Sequence, residues 1–537
     1  MKGKLYVGTH TRKIKFNLLS VVLCQVVTIA IGFLLPRLYI ENFGSAVNGV
    51  LSTIKQIFTY LCLLESGVGL ATSQALLKPV ATRDRDSINS ILAATKKHYV
   101  KIGYLYGAAV AAIAVIYGFF IDTGMPSATV IALVLLSGVP SLVTFFIQGK
   151  YCLLLETDGM QYVITNSQTA LQVASGLLKA AVLILTNNLI LMQASYCLAA
   201  TVQLLYVTAY ARRHYDWIDF ECEPDFESIS QKNSVLIHQI SAMVFNNTDI
   251  LLLSFLADFS TVSVYYIYNL FFSQVEVFIS SLVKGFNFAL GQLFSVNRDE
   301  FLKKFRVYEC FYVMANFIVY TAMCVFLLPL IQIYTGGIND ADYINPTLII
   351  LFVIAKMLSA AKLPSSQVIE YSGHFNSTRW HAVCEMVINL SLTVIGIIKW
   401  GICGALAGTV AAIVFRCAVT LIYTNRSILG RSALRSFGVV AANGAVFAAI
   451  FAIFGAKHFC DMKFLPLCLH GILNMLWIAP AYLLVNFILC PEALRAAVGK
   501  YKSVIGGAKN EGCNKKGSVQ ILRRSRRDAA VPCIPQA

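Results

Sequence analysis

The chain predicts an all-α integral membrane protein of about fourteen transmembrane helices, arranged as two parallel six-helix lobes plus two C-terminal helices. Three observations lead there. Hydrophobic residues make up 57% of the 537 and charged residues 13%, with a mean hydropathy of +0.69, and no water-soluble core hides that much apolar surface. Apolar runs of about 20 residues, the length that crosses a bilayer as a helix, recur from end to end. The bases also keep to one side when the chain is threaded fourteen times from the inside. Of 43 Lys and Arg, only Arg37, Lys399, Lys457 and Lys463 fall in the opposite loops, while Lys55, Lys179, Lys356, Lys362 and Arg416 lie within apolar runs. Cytoplasmic loops retain Lys and Arg, so this asymmetry sets span number and orientation and puts both ends in the cytoplasm.

Taken in order, the expected spans are roughly 17–36, 48–77, 102–121, 127–148, 162–186 and 188–210, then 234–256, 262–283, 307–332, 345–368, 381–398 and 401–424, and finally 438–456 and 464–490. The basic stretch MKGKLYVGTHTRKIKF resembles the start of a signal peptide, yet a span-length run follows it without an A-x-A-like cleavage site, so it introduces a retained span. Residues 78–101 (KPVATRDRDSINSILAATKKHYVK) read as an amphipathic interfacial helix. Loops such as DTGMP (122–126) and TGGINDADYINP (335–346) are short and carry no Lys or Arg. Residues 1–210 then form one lobe, the acidic stretch 211–233 a connector and hinge, 234–424 the second lobe, 425–490 two further helices, and 491–537 a basic, disordered tail.

An internal duplication supports the two lobes. Glu156-Thr157-Asp158-Gly159 recurs as Glu370-Tyr371-Ser372-Gly373, and Asn42-Phe43 as Asp258-Phe259, at nearly one offset that spans six helices. Halves repeated in that way are parallel, related by an axis along the membrane normal.

Function is read from polar residues at membrane depth, which usually face a bundle interior or a wet cavity. Asn48, Ser52, Lys55 and Thr59 share one face of the second span. Ser234, His238, Ser241 and Thr248 do so in the seventh, beside Asn247 and Asp249, and Tyr266, Asn269, Ser273, Glu276, Ser280 and Lys284 run the length of the eighth. Thr165, Gln168, Gln172, Ser175 and Lys179 repeat the pattern in the fifth. A single Ser, Thr or Asn is well explained as glue between helices. A carboxylate at depth must be paired, protonated or wetted, which singles out Asp249 and Glu276 as candidates for ion coupling. Glu65 competes for that role, although the glycines around it also suit a hinge. Lys356 falls near mid-membrane, whereas Lys362 and Arg416 can snorkel to the inner face and Lys179 to the outer. The glycines of GICGALAG, Gly404 and Gly408 above all, suit close helix packing.

Other classes find less support. The net charge of +16 is spread over loops and termini rather than gathered on a soluble domain, which points to anionic lipid and not to nucleic acid. The 15 Cys show no C-x-x-C pair and no metal-ligand spacing, and no P-loop, G-x-S-x-G or H-E-x-x-H occurs, so no cofactor or metal is expected and transport must draw on gradients.

Several stretches resemble a known family. LPRLYIENFGSAVNGVLSTIKQIF (35–58) with GVGLA (67–71), VFNNTDILLLSFL (244–256), VSVYYIYN (262–269) and GICGALAGT (401–409) are similar to the Wzx-like polysaccharide and O-antigen flippases of the multidrug/oligosaccharidyl-lipid/polysaccharide (MOP) exporter superfamily. The likeness covers about residues 10–490 through diffuse motifs. It implies a central cavity lined by spans one, two, seven and eight, and a lateral groove at the last two spans where a polyprenyl tail stays in lipid. It also implies carriage of undecaprenyl-pyrophosphate-linked oligosaccharide across a bacterial cytoplasmic membrane by alternating access. Lipid-linked oligosaccharide, membrane lipid and other polysaccharide-assembly proteins would be the partners. By position, Arg37 and Lys55 would approach the pyrophosphate or acidic sugars, and Asn247 and Asp249 would stand on the cavity wall. The substrate-cavity set is therefore Arg37, Asn48, Ser52, Lys55, His238, Asn247, Asp249, Tyr266, Asn269, Glu276 and Lys356, with Glu65, Asp249 and Glu276 as ion-coupling residues. Spans one and two are poorer in arginine than in the peptidoglycan-precursor branch, which favours a capsule, O-antigen or exopolysaccharide unit.

A multidrug exporter shares this architecture but usually has twelve spans and a smaller site. A membrane-embedded polymerase or ligase would show a large outer loop with catalytic residues, and none of that size is present.

Overall fold

A bilayer core offers no partner for backbone N–H and C=O groups, so an apolar chain satisfies them inside helices. The computed structural model describes residues 28–158, 160–226, 233–454 and 464–491, and among them there is helix and turn but no strand. The first lobe comprises α1 (28–43), α2 (Ser45–Leu61), α3 (Leu63–Thr82), α4 (Arg85–Phe119), α5 (Ser127–Val143), α6 (Gly149–Thr157), α7 (Gln161–Thr186) and α8 (Leu189–His214). The second comprises α9 (Asn233–Leu256), α10 (Phe259–Val296), α11 (Arg298–Tyr334), α12 (Pro346–Ser372) and α13 (Phe375–Tyr423), and α14 (Leu434–Phe454) and α15 (Phe464–Leu489) follow. α2 and α3 form one bent span, a π turn joins α5 to α6 as another, and α13 doubles back at Gly401, whose φ of 58° favours glycine. Counted as spans, the described helices are the fourteen that hydropathy predicts.

Helix ends follow from local chemistry. Asp84, Asn188, Asp258, Asn297 and Asn345 each cap the helix they precede by accepting a backbone N–H. Asp258 stands where the repeat places it, and the Glu156 and Glu370 motifs end α6 and α12, the fourth span of each lobe. Gly159 lies outside the described residues.

Ten helices among the described residues are long and apolar enough to cross a membrane, α13 counting once. α1, α2, α3 and α9 fall short of that, and of these α2 and α9 lie between the lobes, where a polar face meets protein rather than lipid.

Two expectations change. Residues 78–101 do not form a separate interfacial helix: α3 runs to Thr82, the chain turns at Arg83 and Asp84, and α4 continues unbroken for 35 residues. Its apolar face (Ile88, Ile91, Leu92, Tyr99) is buried by neighbouring α3 and α6, so the amphipathic period reported protein contact and not a headgroup layer. The connector, in turn, is docked as far as residue 226. Tyr215 donates to Asp158 at 2.6 Å, Glu221 meets Lys96 at 3.0 Å, Asp225 N–H donates to Ser90 O at 3.1 Å, and the Phe220 ring lies 4.8 Å from Lys150 Nζ. This segment travels with the first lobe.

The last two helices are fastened by buried polar pairs. The Asn443 and Asn486 amides bond each other at 2.8 and 3.1 Å, Thr321 meets Tyr482 at 2.6 Å, and Glu309 on α11 accepts from Arg431 and Ser436 at 2.7 Å each.

Candidate translocation site

The lobes meet along α2, α9 and α10. Gly49 permits the closest approach, because a Cβ there would stand 1.9 Å from the carbonyl oxygen of Phe259. Polar contacts surround it and form a seam. Asn48 donates to Ser263 Oγ at 2.7 Å, and Asp340 accepts from both the backbone N–H and the hydroxyl of Ser45 at 2.6 Å, so a carboxylate of one lobe caps a helix of the other. Arg37 donates to the carbonyls of Tyr334 and Gly336 and pairs with Glu41, and Tyr60 bonds Thr248 and Val244 O.

Behind the seam, inside the second lobe, oxygens converge on Asp249. Its carboxylate accepts from Tyr265 at 2.7 Å and from Thr409 at 3.0 Å, and Asn389 Nδ2 donates to Thr409 Oγ1 at 2.9 Å. Thr393 Oγ1 lies 3.4 Å from Ala405 O, and Asn389 Oδ1 is buried without a hydrogen-bond partner. The glycines make this possible. Added Cβ atoms on Gly396 and Gly404 would stand 2.2 and 1.9 Å from each other's carbonyl oxygens, and one on Gly408 would stand 2.6 Å from Thr393 N. The two arms of α13 thus touch along their backbones, which brings Asn389 and Thr393 to Ala405 and Thr409. One carboxylate, one orphan amide oxygen, three hydroxyls and a carbonyl are thus gathered along one hydrogen-bonded chain, a hard, singly charged oxygen set whose chemistry suits a monovalent cation or a proton. Among the described residues no group of three His, Cys, Asp or Glu suits a multivalent metal.

Charge nearby is paired in two clusters. Lys356 on α12 meets Glu276 on α10 at 2.6 Å. Lys362 and Arg416 share Glu385, at 2.7 and 3.4 Å, in the interior of the lobe. Neither base snorkels, because Glu385, which the sequence reading passed over, offers a partner that makes reaching the interface unnecessary.

On the first lobe, Lys55 Nζ stands 6.0 Å from the Tyr266 ring and Lys179 Nζ 4.1 Å from the Tyr196 ring. Lys179 therefore turns inward rather than snorkelling outward, held by the face of Tyr196.

A cavity of about 1740 Å3 runs between α10 and α11, flanked by Ile29 and Phe33 of α1 and Met475 of α15. Its walls are apolar except for Gln274, Asn316 and, toward the start of α11, Lys303, Lys304 and Arg306.

The nominated residues thus divide. Asp249 sits in the oxygen cluster, Glu276 and Lys356 pair, and Lys55 faces Tyr266. Asn48 and Arg37 belong to the seam, Ser52 bonds Asn48 O within α2, and Asn247 bonds Met243 O within α9. Asn269 is half-buried on α10. The side chains of Glu65 and His238 lie outside the described residues. Asn389, Thr393 and Thr409 were missed, since isolated Thr and Asn in apolar runs give no signal until the Gly404 and Gly408 face is paired with its partner arm.

No family model and no curated protein matches the chain. Solved structures do. The lipid II flippase MurJ, in an inward closed conformation, superposes with a TM-score of 0.63 at 13% identity over 88% of this chain and 100% of that one. An inward-facing multidrug resistance MATE family transporter of the MOP superfamily gives 0.56 at 13% identity over 76% of this chain and 98% of its own. A MOP superfamily transporter from Pyrococcus furiosus, whose binding pocket has reverse polarity, gives 0.50 at 12% identity over 76% and 95%. At these identities the likeness carries architecture and not cargo: the chain is a multi-pass membrane protein with the fold of the MOP superfamily transporters.

Proposed function

We propose that the protein is a flippase that carries undecaprenyl-pyrophosphate-linked oligosaccharide, for capsule, O-antigen or exopolysaccharide synthesis, across a bacterial cytoplasmic membrane by alternating access. The carrying observation is the apolar cavity with its cationic end. A cargo with one long lipid tail and one anionic head needs an apolar channel beside cations, and Lys303, Lys304 and Arg306 at the α11 end of the cavity supply charge that suits a diphosphate. The Lys and Arg asymmetry puts both termini and the start of α11 inside. The Gly49 seam then closes the outer face, so the cargo enters from the inner leaflet. A cation bound at Asp249 supplies the gradient's free energy, with Asp249, Asn389, Thr393, Thr409 and the carbonyl of Ala405 holding it. The superposition on MurJ agrees with this reading.

The oxygen cluster and the MATE likeness also favour a second reading, an ion-coupled exporter of small molecules. Liposomes loaded on both leaflets with a prenyl-pyrophosphate oligosaccharide separate the two. Protein-dependent access of an added impermeant glycosidase to the inner pool is expected of a flippase. A fully protected inner pool with several glycans, in folded protein, leaves the exporter.

A further inference from the structure

Lys356 stands between two carboxylates that have different tasks. It pairs with Glu276 at 2.6 Å, and Glu276 is the more open of the two, its side chain 49% exposed against 21% for Lys356. One turn before Lys356, Phe352 packs on Tyr265 with ring centroids 5.2 Å apart, and Tyr265 is the donor to Asp249. A helical turn of four residues advances about 6 Å, which matches the reach of the flexible lysine stem. Tyr265 and Glu276 lie on one face of α10, eleven residues or about 16 Å apart, and α12 sets Phe352 beside the first and Lys356 beside the second, so a swing of the lysine stem about its Cα carries the ammonium from the level of Glu276 toward that of Tyr265.

Glu276 is not a member of the oxygen cluster and the cluster holds no base of its own. We propose that Lys356 is a tethered counter-cation shared by Glu276 and Asp249, so that its position couples Glu276 to the cation site. With Lys356 held by Glu276, Asp249 is free to take a cation. When Glu276 is engaged by cargo or removed, the ammonium swings to Asp249 and competes for it. Lys356 is a positioning residue here, since it acts on the cation only through Asp249.

This inference rests on the reading of Asp249 as a cation site, and the test separates the two. The probe is Na+ alone, read as the rise in thermal-unfolding midpoint of the purified full chain against NaCl, with ionic strength held constant by choline chloride. The wild type should show a saturable rise that Asp249→Asn abolishes. Glu276→Gln, an isosteric change, should raise the half-saturating Na+ concentration about tenfold or more, because an ammonium freed from Glu276 and drawn to Asp249 competes strongly at low effective dielectric. Adding Lys356→Met to Glu276→Gln should restore the wild-type value or lower it. A purely structural ion pair would lower the midpoint at every NaCl concentration without moving half-saturation. An absent wild-type rise, or one that survives Asp249→Asn, overturns the cation reading and this inference with it. A rise that Asp249→Asn abolishes but Glu276→Gln leaves unmoved, or a double variant that stays as weak as Glu276→Gln, overturns the role of Lys356 alone.

Discussion

Gly49→Ala should push the protein toward its outward-open state. In the closed seam the new Cβ would lie 1.9 Å from Phe259 O and 2.7 Å from its carbonyl carbon. Contacts of backbone with Cβ are not made below about 3 Å, so α2 and α10 must part by roughly 1 Å at their closest point. That shift also stretches the Asn48–Ser263 bond of 2.7 Å and the two Ser45–Asp340 bonds of 2.6 Å. Overpacking of this size costs about 1–3 kcal/mol. When the lobes separate at this face the clash is gone, so the cost falls on one state only and moves the equilibrium about 5- to 150-fold. Ser52→Cys provides the readout: Ser52 is buried behind the seam and bonds only its own helix, to Asn48 O. In right-side-out vesicles an impermeant maleimide should label Ser52→Cys faster when Gly49→Ala is present, measured over the same chains without the added cysteine. Unchanged or slower labelling, with the thermal midpoint retained, would refute the seam as the outer gate.

Asp340→Asn keeps the shape of the seam but removes the charge that caps α2, and should raise the same labelling by about tenfold, the size of a charge-assisted cap of 1–2 kcal/mol. Asn486→Leu leaves the Asn443 amide buried without its partner at 2.8 Å, and should lower stability by about 1–3 kcal/mol, read as a lower thermal midpoint and faster proteolysis at α14 and α15. Its effect on labelling of Ser52→Cys should be nil. At the turn between α3 and α4, the hydroxyl and backbone N–H of Ser87 hold the Asp84 carboxyl below its usual range. The contribution of this cap is therefore complete at neutral pH and lost as pH falls through that lowered value. Amide exchange at the start of α4 should quicken there, and Asp84→Asn should remove the pH dependence.

Span-length apolar runs and the Lys and Arg distribution make the fourteen helices legible, because both are properties of chain segments alone. The stripes on the second, seventh and eighth spans also lead to α2, α9 and α10, the helices that meet between the lobes. What fails is anything that depends on which surface a stripe meets. Ile88, Ile91 and Leu92 have the period of an interfacial helix and of a helix buried on α3, and the period is the same for both. Lys362 and Arg416 look like snorkelling bases until Glu385 stands between them. The Asp249 cluster draws on α9 and on both arms of α13, and Thr409 is 160 residues from Asp249. Only Gly404 and Gly408, visible as small residues four apart, hinted that the two arms would touch there.

The distribution of contact strength says which parts move. Inside the second lobe the arms of α13 touch backbone to backbone at Gly396 and Gly404, and Glu385 joins Lys362 and Arg416 away from water. Parting these would leave a buried charge without its partner, at a cost of about 3–5 kcal/mol. Between the lobes the bonds are neutral or solvent-edged, such as Asn48 to Ser263, Tyr60 to Thr248 and Arg37 to the Tyr334 and Gly336 carbonyls. Each contributes about 1 kcal/mol, and water can replace most of them when they break. A seam of that strength is matched by the few kcal/mol that a cation or cargo supplies by preferring one state, whereas the lobe interiors are not. Thr248 touches Tyr60 of the other lobe, and the next residue is Asp249. The oxygen cluster and the seam therefore meet at adjacent residues of α9, so a shift of that helix would act on both at once.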